Sequence, residues 1–446
     1  MNIAIFGEGL KSKVAAAIFA SVGNQVFVFN ATGLKKAFDN EPQLEALYLQ
    51  QKKSTRLIEF QEEINNEIVF DYIVVADIEL SSIFVLFEKQ ISKSLQNKGT
   101  IINLSPTEIG ESEKIYKNYI ASLKVNDELN EDLDRIDTQN YLPICCIPLL
   151  IREGRAISDF SRPDNIILGC DNSQQVEGLK ALFYPFNRAK DVVKVVSARD
   201  AEFSCFAGNA MLATRLSFMN EMADLAEQTG VDIEVVRECI GSDPRIGNDY
   251  LYPSCGYGGS ALAGNLAKVA DALKTRTGDL GLLNVVAEIN EKQKDILFRK
   301  IWKFFATELK GIKIAIWGVS FKPGSPSIVA APAINLIDSL IAQGASVKVY
   351  DPLASDNIRA LYGSGNGIGN KNSVEIAENR DEALMGCDAL AICTEWKEFW
   401  APDFELIKSE LNFPAIFDGR NLYQPDLLKK DGIRYFGIGR GENLIN

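Results

Sequence analysis

Histidine is absent from all 446 residues. That removes imidazole general bases, Ser-His-Asp and Cys-His pairs, and His-ligated metals from the available chemistry. Cysteine occurs eight times, at Cys145, Cys146, Cys170, Cys205, Cys239, Cys255, Cys387 and Cys393, and no two are spaced as C-x-x-C. Most lie in apolar runs, which predicts reduced, buried thiols packing as small hydrophobes. No metal is expected. Positive charge is in deficit, with 47 Lys and Arg against 60 Asp and Glu and a net charge of −13. This argues against non-specific nucleic-acid binding and still allows a local basic pocket. No apolar run reaches the ~20 residues of a membrane span. The chain opens straight into Met1-Asn-Ile-Ala-Ile-Phe6, a strand pattern without a charged leader, so a cytoplasmic location with no membrane partner is expected. No repeat of solenoid length is visible.

What is present is an ordinary soluble composition, 46% hydrophobic and 24% charged, in a chain long enough for two or three full cores. Asn2–Phe6 reads as a strand, Val14–Val22 as a helix and Gln25–Phe29 as a second strand. Between the first two lies Gly7-Glu8-Gly9-Leu10-Lys11-Ser12. Strand, glycine turn, helix, strand is the opening of a dinucleotide-binding fold. Gly7, Gly9, Ser12 and Asn30 are the candidate cofactor residues, and NAD is the candidate cofactor. The fingerprint is altered. Ser12 stands for the third glycine, Asn30 replaces the acid that would bind a ribose, and Glu8 falls where a pyrophosphate would sit. Two like charges about 4 Å apart repel by roughly 1 kcal/mol in water and about 4 kcal/mol at an intermediate dielectric. Lys11 could compensate. A cofactor-binding turn and a purely structural one both fit these residues.

Tyr72–Ala76 and Thr100–Leu104 read as further strands, and Glu111–Asp137 as an acidic, solvated helical stretch. Ala201–Gly230 carries Phe203, Phe206, Ala210, Ala213 and Leu216 at helical spacing, as a buried helix requires. Leu266–Leu273 and Asp279–Phe305 read as long helices. A second α/β unit begins at Ile312–Pro323, with Ser346–Pro352 as its second strand. Gly363–Lys371 is a Gly- and Asn-rich excursion. Between two helical segments lies Arg245–Asn265, whose Gly256, Gly258 and Gly259 allow close approach of a ligand to the main chain. Such loops can hold anions on backbone N–H groups, or can be plain connections.

The loop Gly256-Tyr-Gly-Gly-Ser-Ala261-Leu-Ala-Gly264-Asn265 resembles the G-(Y/F)-G-G-S-C-F-x-K-D loop of the UDP-glucose/GDP-mannose dehydrogenase family. The resemblance covers nearly the whole chain. It includes Glu41-Pro-Gln-Leu-Glu-Ala-Leu47 (E-P-x-L-E-x-L), Ile147–Ala156 (x-P-E-F-L-x-E-G-x-A), Arg162–Gly169 (R-P-D-R-I-V-x-G), Ala201–Glu221, Gly318–Pro323, Tyr350-Asp351-Pro352, Thr394–Phe399 (T-E-W-x-x-F) and Asp418–Asn421 (D-x-R-N). It implies an α/β fold of two Rossmann-like, doubly wound parallel-sheet domains joined by a long central helical segment. The implied boundaries are an NAD-type domain at 1–198, a central helical, dimerising domain at 199–305, and a nucleotide-sugar (UDP)-binding domain at 306–446. A homodimer through the central helices is implied as well.

The family oxidises a sugar alcohol twice with NAD, using a Cys nucleophile, a Lys/Asp pair and a Glu. The matching positions here are Ala261, Cys205, Asn265 and Leu149. The acidic pair and the Arg of D-D-x-R-x-S-P are missing from Pro326–Pro332, and the family's V-x-T-P turn is replaced at Asp77-Ile-Glu79. Positions matching its substrate contacts are kept or partly kept at Asn209, Arg245, Gly256, Tyr257, Gly258, Gly259, Ser260, Lys322 and Arg420. The resemblance therefore implies a catalytically silent relative that still binds a UDP-sugar, as a sensor, scaffold or partner of an active dehydrogenase in polysaccharide biosynthesis. Two alternatives stay open. One is an active oxidoreductase with relocated chemistry, with Cys205 as nucleophile and Cys255 a weaker candidate. The other is a structural subunit that binds no small molecule.

Overall fold

Short runs rich in Val, Ile and Phe become the buried strands of two parallel sheets, as continuous apolar runs flanked by helices require. A computed structural model describes residues 1–7, 9–29, 41, 43–60, 68–76, 94, 99–105, 109–114, 117, 144–152, 154–188, 191–264, 266, 281–363 and 373–442, excluding the side chains of 260 and 261. The sequence features at Glu8, Asn30, Asp77–Glu79, Asn265, Gly363–Lys371 (beyond Gly363) and most of Glu111–Asp137 and Leu266–Leu273 lie outside the described residues. The chain divides into two compact units, 1–207 and 208–446.

The first unit holds β1 (Asn2–Phe6), α1 (Leu10–Ser21), β2 (Gln25–Phe29), α2 (Leu44–Lys53), β3 (Leu57–Phe60), β4 (Tyr72–Val75), β5 (Thr100–Asn103), β6 (Ile144–Cys146), α3 (Ala156–Ser161), β7 (Ile166–Gly169), α4 (Ser173–Phe183) and β8 (Val193–Val196). The sheet order is β3-β2-β1-β4-β5-β6-β7-β8. Its first six strands follow the dinucleotide-fold order 3-2-1-4-5-6. β6 and β7 run antiparallel, with Cys146 opposite Gly169. The family resemblance at Arg162–Gly169 implies a strand that closes this sheet. The structure adds β8 beyond it, parallel to β7. β8 is a half-exposed edge with weak patterning, so its four residues give little signal. α1 buries every residue from Ser12 to Ala20, which is why its Ala-rich sequence shows no polar face. Phe19 meets Phe160, Phe183 and Phe186 at ring-centroid distances of 5.4, 5.7 and 6.2 Å, tying α1 to α3 and α4.

α5 (Ala198–Thr229) is the long helix anticipated at Ala201–Gly230. After it come α6 (Ile233–Gly241), α7 (Leu282–Gln293), α8 (Ile296–Phe304), β9 (Lys313–Trp317), α9 (Pro332–Ala342), β10 (Ser346–Tyr350), α10 (Ser355–Gly363), β11 (Val374–Ile376), β12 (Ala389–Ile392), α11 (Phe404–Glu410), β13 (Ala415–Asp418), α12 (Pro425–Lys430) and β14 (Arg434–Phe436). The sheet order β11-β10-β9-β12-β13-β14 is again 3-2-1-4-5-6. Asp279–Phe305 reads as one helix, but the structure divides its described part in two at Lys294–Asp295, where the Asp295 N–H bonds the Lys292 carbonyl at 3.3 Å. No Gly or Pro marks that break. Met219, Ala223 and Ala226 of α5 and Ile296, Leu297 and Ile301 of α8 enter the same core as β9 and β13. Within it, buried Lys300 bonds buried Glu227 at 2.5 Å, and Glu227 also accepts the Gly439 N–H at 2.9 Å. Among the described residues no helix is long and apolar enough to cross a membrane.

Candidate functional site

In the second unit, buried amide side chains hold the glycine-rich loop. The Asn290 side chain accepts the Tyr257 N–H at 2.9 Å and donates to the Tyr257 carbonyl at 3.0 Å. Asn220 accepts the Ser254 N–H at 2.8 Å, and Gln293 donates to the Ser254 carbonyl at 2.6 Å. Ser217 lies 3.4 Å from the Tyr257 hydroxyl, whose pKa burial raises and the Ser217 contact partly lowers. Sequence reading missed Asn220, Asn290 and Gln293. Their signal was an amide on the buried side of an amphipathic helix, which must find a partner.

The glycines serve close packing first. A Cβ on Gly258 would stand 2.6 Å from the Ala330 carbonyl oxygen, and one on Gly259 2.8 Å from the Phe321 ring. The N–H groups of Ser254, Cys255, Gly256, Tyr257 and Gly259 are all bonded within the protein, Cys255 to the Gly419 carbonyl at 2.9 Å and Gly259 to the Val329 carbonyl at 2.8 Å. An anion held by this whole run of N–H groups would have to displace those bonds. Among the described residues only the Gly258 N–H in this run lacks an acceptor, because the tight backbone approach at Ala330 uses its neighbours.

Lys322 extends over Phe321, its ammonium 5.5 Å from the ring centroid, on the residue that faces Gly259. Arg420 follows β13 in a turn set by Asp418, whose carboxylate accepts the Arg420 N–H at 2.8 Å and the Leu422 N–H at 2.7 Å. The Arg420 side chain is only 12% exposed. Its Nε donates to the Cys393 carbonyl at 2.7 Å and stands 3.2 Å from Glu395. Its Nη2 is buried with no partner. Cys255 lies 3.9 Å from that same Cys393 carbonyl, so Arg420 and the start of the glycine loop share a neighbour. The predicted set therefore divides. Lys322 neighbours Gly259 through Phe321, and Arg420 neighbours Cys255 through the Cys393 carbonyl. Arg245 is 88% exposed and paired with Asp243 at 2.6 Å, and Asn209 is half-buried on α5.

At the ends of β9 and β10, where an open α/β sheet usually binds its ligand, buried Asp351 fills the crevice. It accepts the N–H groups of Val319, Ser320, Leu353 and Ala354 at 2.8–2.9 Å and the Trp396 indole at 3.2 Å. Those donors are spent on Asp351.

In the first unit, Gly7 adopts φ +145°, and a Cβ there would overlap the Ala76 carbonyl oxygen at 1.7 Å. Ser12 is fully buried and donates to the Gly9 carbonyl at 2.7 Å, the helix–strand packing role expected of it. Gly9 is the N-cap of α1 and, as a glycine, offers no capping side chain. These residues fit a pyrophosphate on the N-terminus of α1. Leu149 is half-buried against the core. Its loop is gripped by buried Glu41, which accepts the Gly154 N–H at 2.7 Å and the Ile157 N–H at 3.4 Å. That is the physical content of the E-P-x-L-E-x-L segment. Cys205 is half-buried, and burial pushes its thiol up, with Lys11 offsetting only part.

Three family models match this chain along its length. The NAD binding domain of the UDP-glucose/GDP-mannose dehydrogenase family matches residues 1–187, its central domain 199–292 and its UDP binding domain 315–425. The chain is 33% identical to the UDP-glucose 6-dehydrogenase of Pseudomonas aeruginosa over 99% of its own length and 98% of that protein's. It is 29% identical to that of Rhizobium meliloti over 99% and 100%. Among solved structures, a UDP-glucose dehydrogenase from Pyrobaculum islandicum superposes with a TM-score of 0.80 at 22% identity, covering 98% of this chain and 97% of that one.

Proposed function

Because this chain belongs to the UDP-glucose/GDP-mannose dehydrogenase family, we propose that it is a nucleotide-sugar-binding member that no longer oxidises its ligand by the family's route. The observation that carries the binding half is Arg420. A buried guanidinium with an unpartnered Nη2 costs free energy unless something accepts from it. A ligand phosphate or uracil carbonyl beside the Gly258 N–H and the Lys322 ammonium would do so. Glu395 opposes an anion here and selects for a ligand that also offers donors.

The silent half rests on four positions. Ala261 cannot form a thiohemiacetal, Leu149 cannot orient a water, and Cys205 and Asn265 supply neither the ammonium nor the carboxylate. Burial keeps the Cys205 thiol protonated at neutral pH, which weighs against that residue as a replacement nucleophile. NAD, when bound, supplies hydride-acceptor chemistry. On this chain Gly7, Gly9 and Ser12 would seat its pyrophosphate at the N-terminus of α1.

The test is thermal unfolding followed by tryptophan fluorescence, with millimolar UDP, UDP-glucose or NAD, alongside NADH absorbance. UDP-glucose at about 100 times its Kd stabilises by about 2.7 kcal/mol and should raise the midpoint by several degrees, an effect lost in Arg420→Met. No NADH should form. The absence of any shift with UDP compounds overturns the binding claim, and steady NADH production overturns the silent one.

A homodimer through α5 belongs to the same proposal. Met211, Phe218 and Leu225 are exposed at 62%, 48% and 51% and recur every seven residues on that helix. Such a stripe needs an apolar partner. Light scattering should give twice the chain mass, and Phe218→Glu should give one. A wild-type monomer contradicts it.

A further inference from the structure

Two thiols in the first unit lie closer together than packing alone demands. β6 and β7 pair antiparallel at Cys146 and Gly169, and the ladder then sets Cys145 opposite Cys170. Their sulfurs are 3.0 Å apart, and their residues are 0% and 5% exposed. Gln175, in the first turn of α4, steadies both. Its Oε1 lies 3.6 Å from the Cys145 sulfur and 3.3 Å from that of Cys170. The Cys170 thiol also reaches the Asn172 carbonyl at 3.5 Å.

The separation discriminates between uses. Two thiolates each about 2.3 Å from a tetrahedral zinc would stand about 3.7 Å apart, so a shared metal does not fit without movement. A disulfide needs about 2.05 Å, a closure of roughly 1 Å that small rotations about Cα–Cβ provide. The other cysteine neighbours differ. Cys146 lies on the opposite face of β6 by strand alternation, and the second thiol pair, Cys255 with Cys393, is 1% exposed at both residues, with Cys255 also 3.9 Å from the Cys393 carbonyl.

We propose that Cys145 and Cys170 are a redox modification site, a dithiol that hydrogen peroxide converts to a disulfide. Cys170 is the attacking sulfur. Donation from the Cys145 thiol lowers it, and the same donation together with burial pushes Cys145 up. The Cys170 thiolate attacks one peroxide oxygen. An S–O bond forms, the O–O bond breaks, and the hydroxide released takes up the proton Cys170 had lost and leaves as water. The Cys145 sulfur then attacks the Cys170 sulfenic acid. The S–S bond forms, the S–O bond breaks, and the departing hydroxide takes the Cys145 proton as a second water. Two thiols give up two electrons and one peroxide accepts them. The bond closes the segment from Cys145 to Cys170, which contains Leu149 and the turn held by Glu41, and so cross-links the part of this unit where the family carries its Glu.

The full-length protein is treated with hydrogen peroxide, denatured, alkylated and mapped by peptide mass spectrometry. The expected product is a Cys145–Cys170 linked peptide with two hydrogens lost, reversed by dithiothreitol. A rise in the circular-dichroism melting midpoint on the order of 5 °C should accompany it. Cys239→Ser should leave the link intact. Cys170→Ser should abolish it, and Cys145→Ser should leave a Cys170 sulfenic acid that dimedone traps. If a serine variant does not fold, mapping of the wild-type protein decides alone. The proposal is overturned if Cys145 and Cys170 are both alkylated after a peroxide dose that oxidises exposed Cys239, or if linkage joins other cysteines.

Discussion

Lys300→Met is expected to lower the stability of the second unit by about 3–5 kcal/mol, the usual cost of leaving one half of a buried ion pair. Lys300 and Glu227 are both about 5% exposed on their side chains and 2.5 Å apart. Removing the ammonium leaves a buried carboxylate without its ion-pair partner, while the Gly439 N–H still donates to it. All four tryptophans, Trp302, Trp317, Trp396 and Trp400, lie in residues 208–446. Urea unfolding followed by their fluorescence therefore reads this unit alone, and its midpoint should fall. Adding Glu227→Gln should restore much of the loss, because an amide oxygen still accepts from Gly439 and no charge is stranded. Full additivity of the two losses would contradict this account.

Acid should distinguish the variant as well. Burial, then the charge of Glu227, holds the Asp224 carboxyl above its ordinary range, while Arg299 and Lys300 pull it down. A raised folded-state pKa means that the folded form binds the proton more readily. The stability from Asp224 is present below its unfolded pKa and is lost as pH rises through the folded one. Lys300→Met removes one of the two lowering charges, so the variant should regain more stability than wild type as pH falls toward the carboxylate range.

Gly7→Ala is expected to unfold the first unit at 25 °C, a loss above about 4 kcal/mol. A methyl carbon at 1.7 Å from the Ala76 carbonyl oxygen overlaps a backbone atom of β4's end, not a side chain that can turn away. The φ of +145° is also a conformation that side-chain-bearing residues resist. β1 and β4 are adjacent central strands, so neither can shift without moving the sheet. Far-UV circular dichroism should show partial loss of structure while the tryptophan transition stays near its wild-type midpoint. A variant with an unchanged dichroism melt would refute the packing argument.

Much of the architecture was legible because strands and interior helices write themselves locally. Asn2–Phe6 and Gln25–Phe29 are bounded as the apolar pattern places them, and the long helix at Ala198–Thr229 was visible in its periodicity. β8 and the break at Lys294–Asp295 were not, since an edge strand of four half-exposed residues and a turn without Gly or Pro carry no local mark. The proposed binding residues show the same division. Gly256–Gly259, Lys322 and Arg420 were nameable from motif positions. Their supports Asn220, Asn290, Gln293 and Asp351 read as ordinary polar residues until a buried backbone group faced each of them.

The sequence by itself determined the family and the two α/β units, and it carries the Ala261, Cys205, Asn265 and Leu149 on which the proposed loss of the family's chemistry rests, because each is a matter of which atoms a position carries. Only the tertiary structure decided what the retained residues are free to do. It bound most of the glycine loop's N–H groups internally, left the Arg420 Nη2 without a partner, exposed Arg245, and set Cys145 against Cys170 across an antiparallel pair. Those outcomes depend on distances between residues far apart in the chain, which no local pattern encodes.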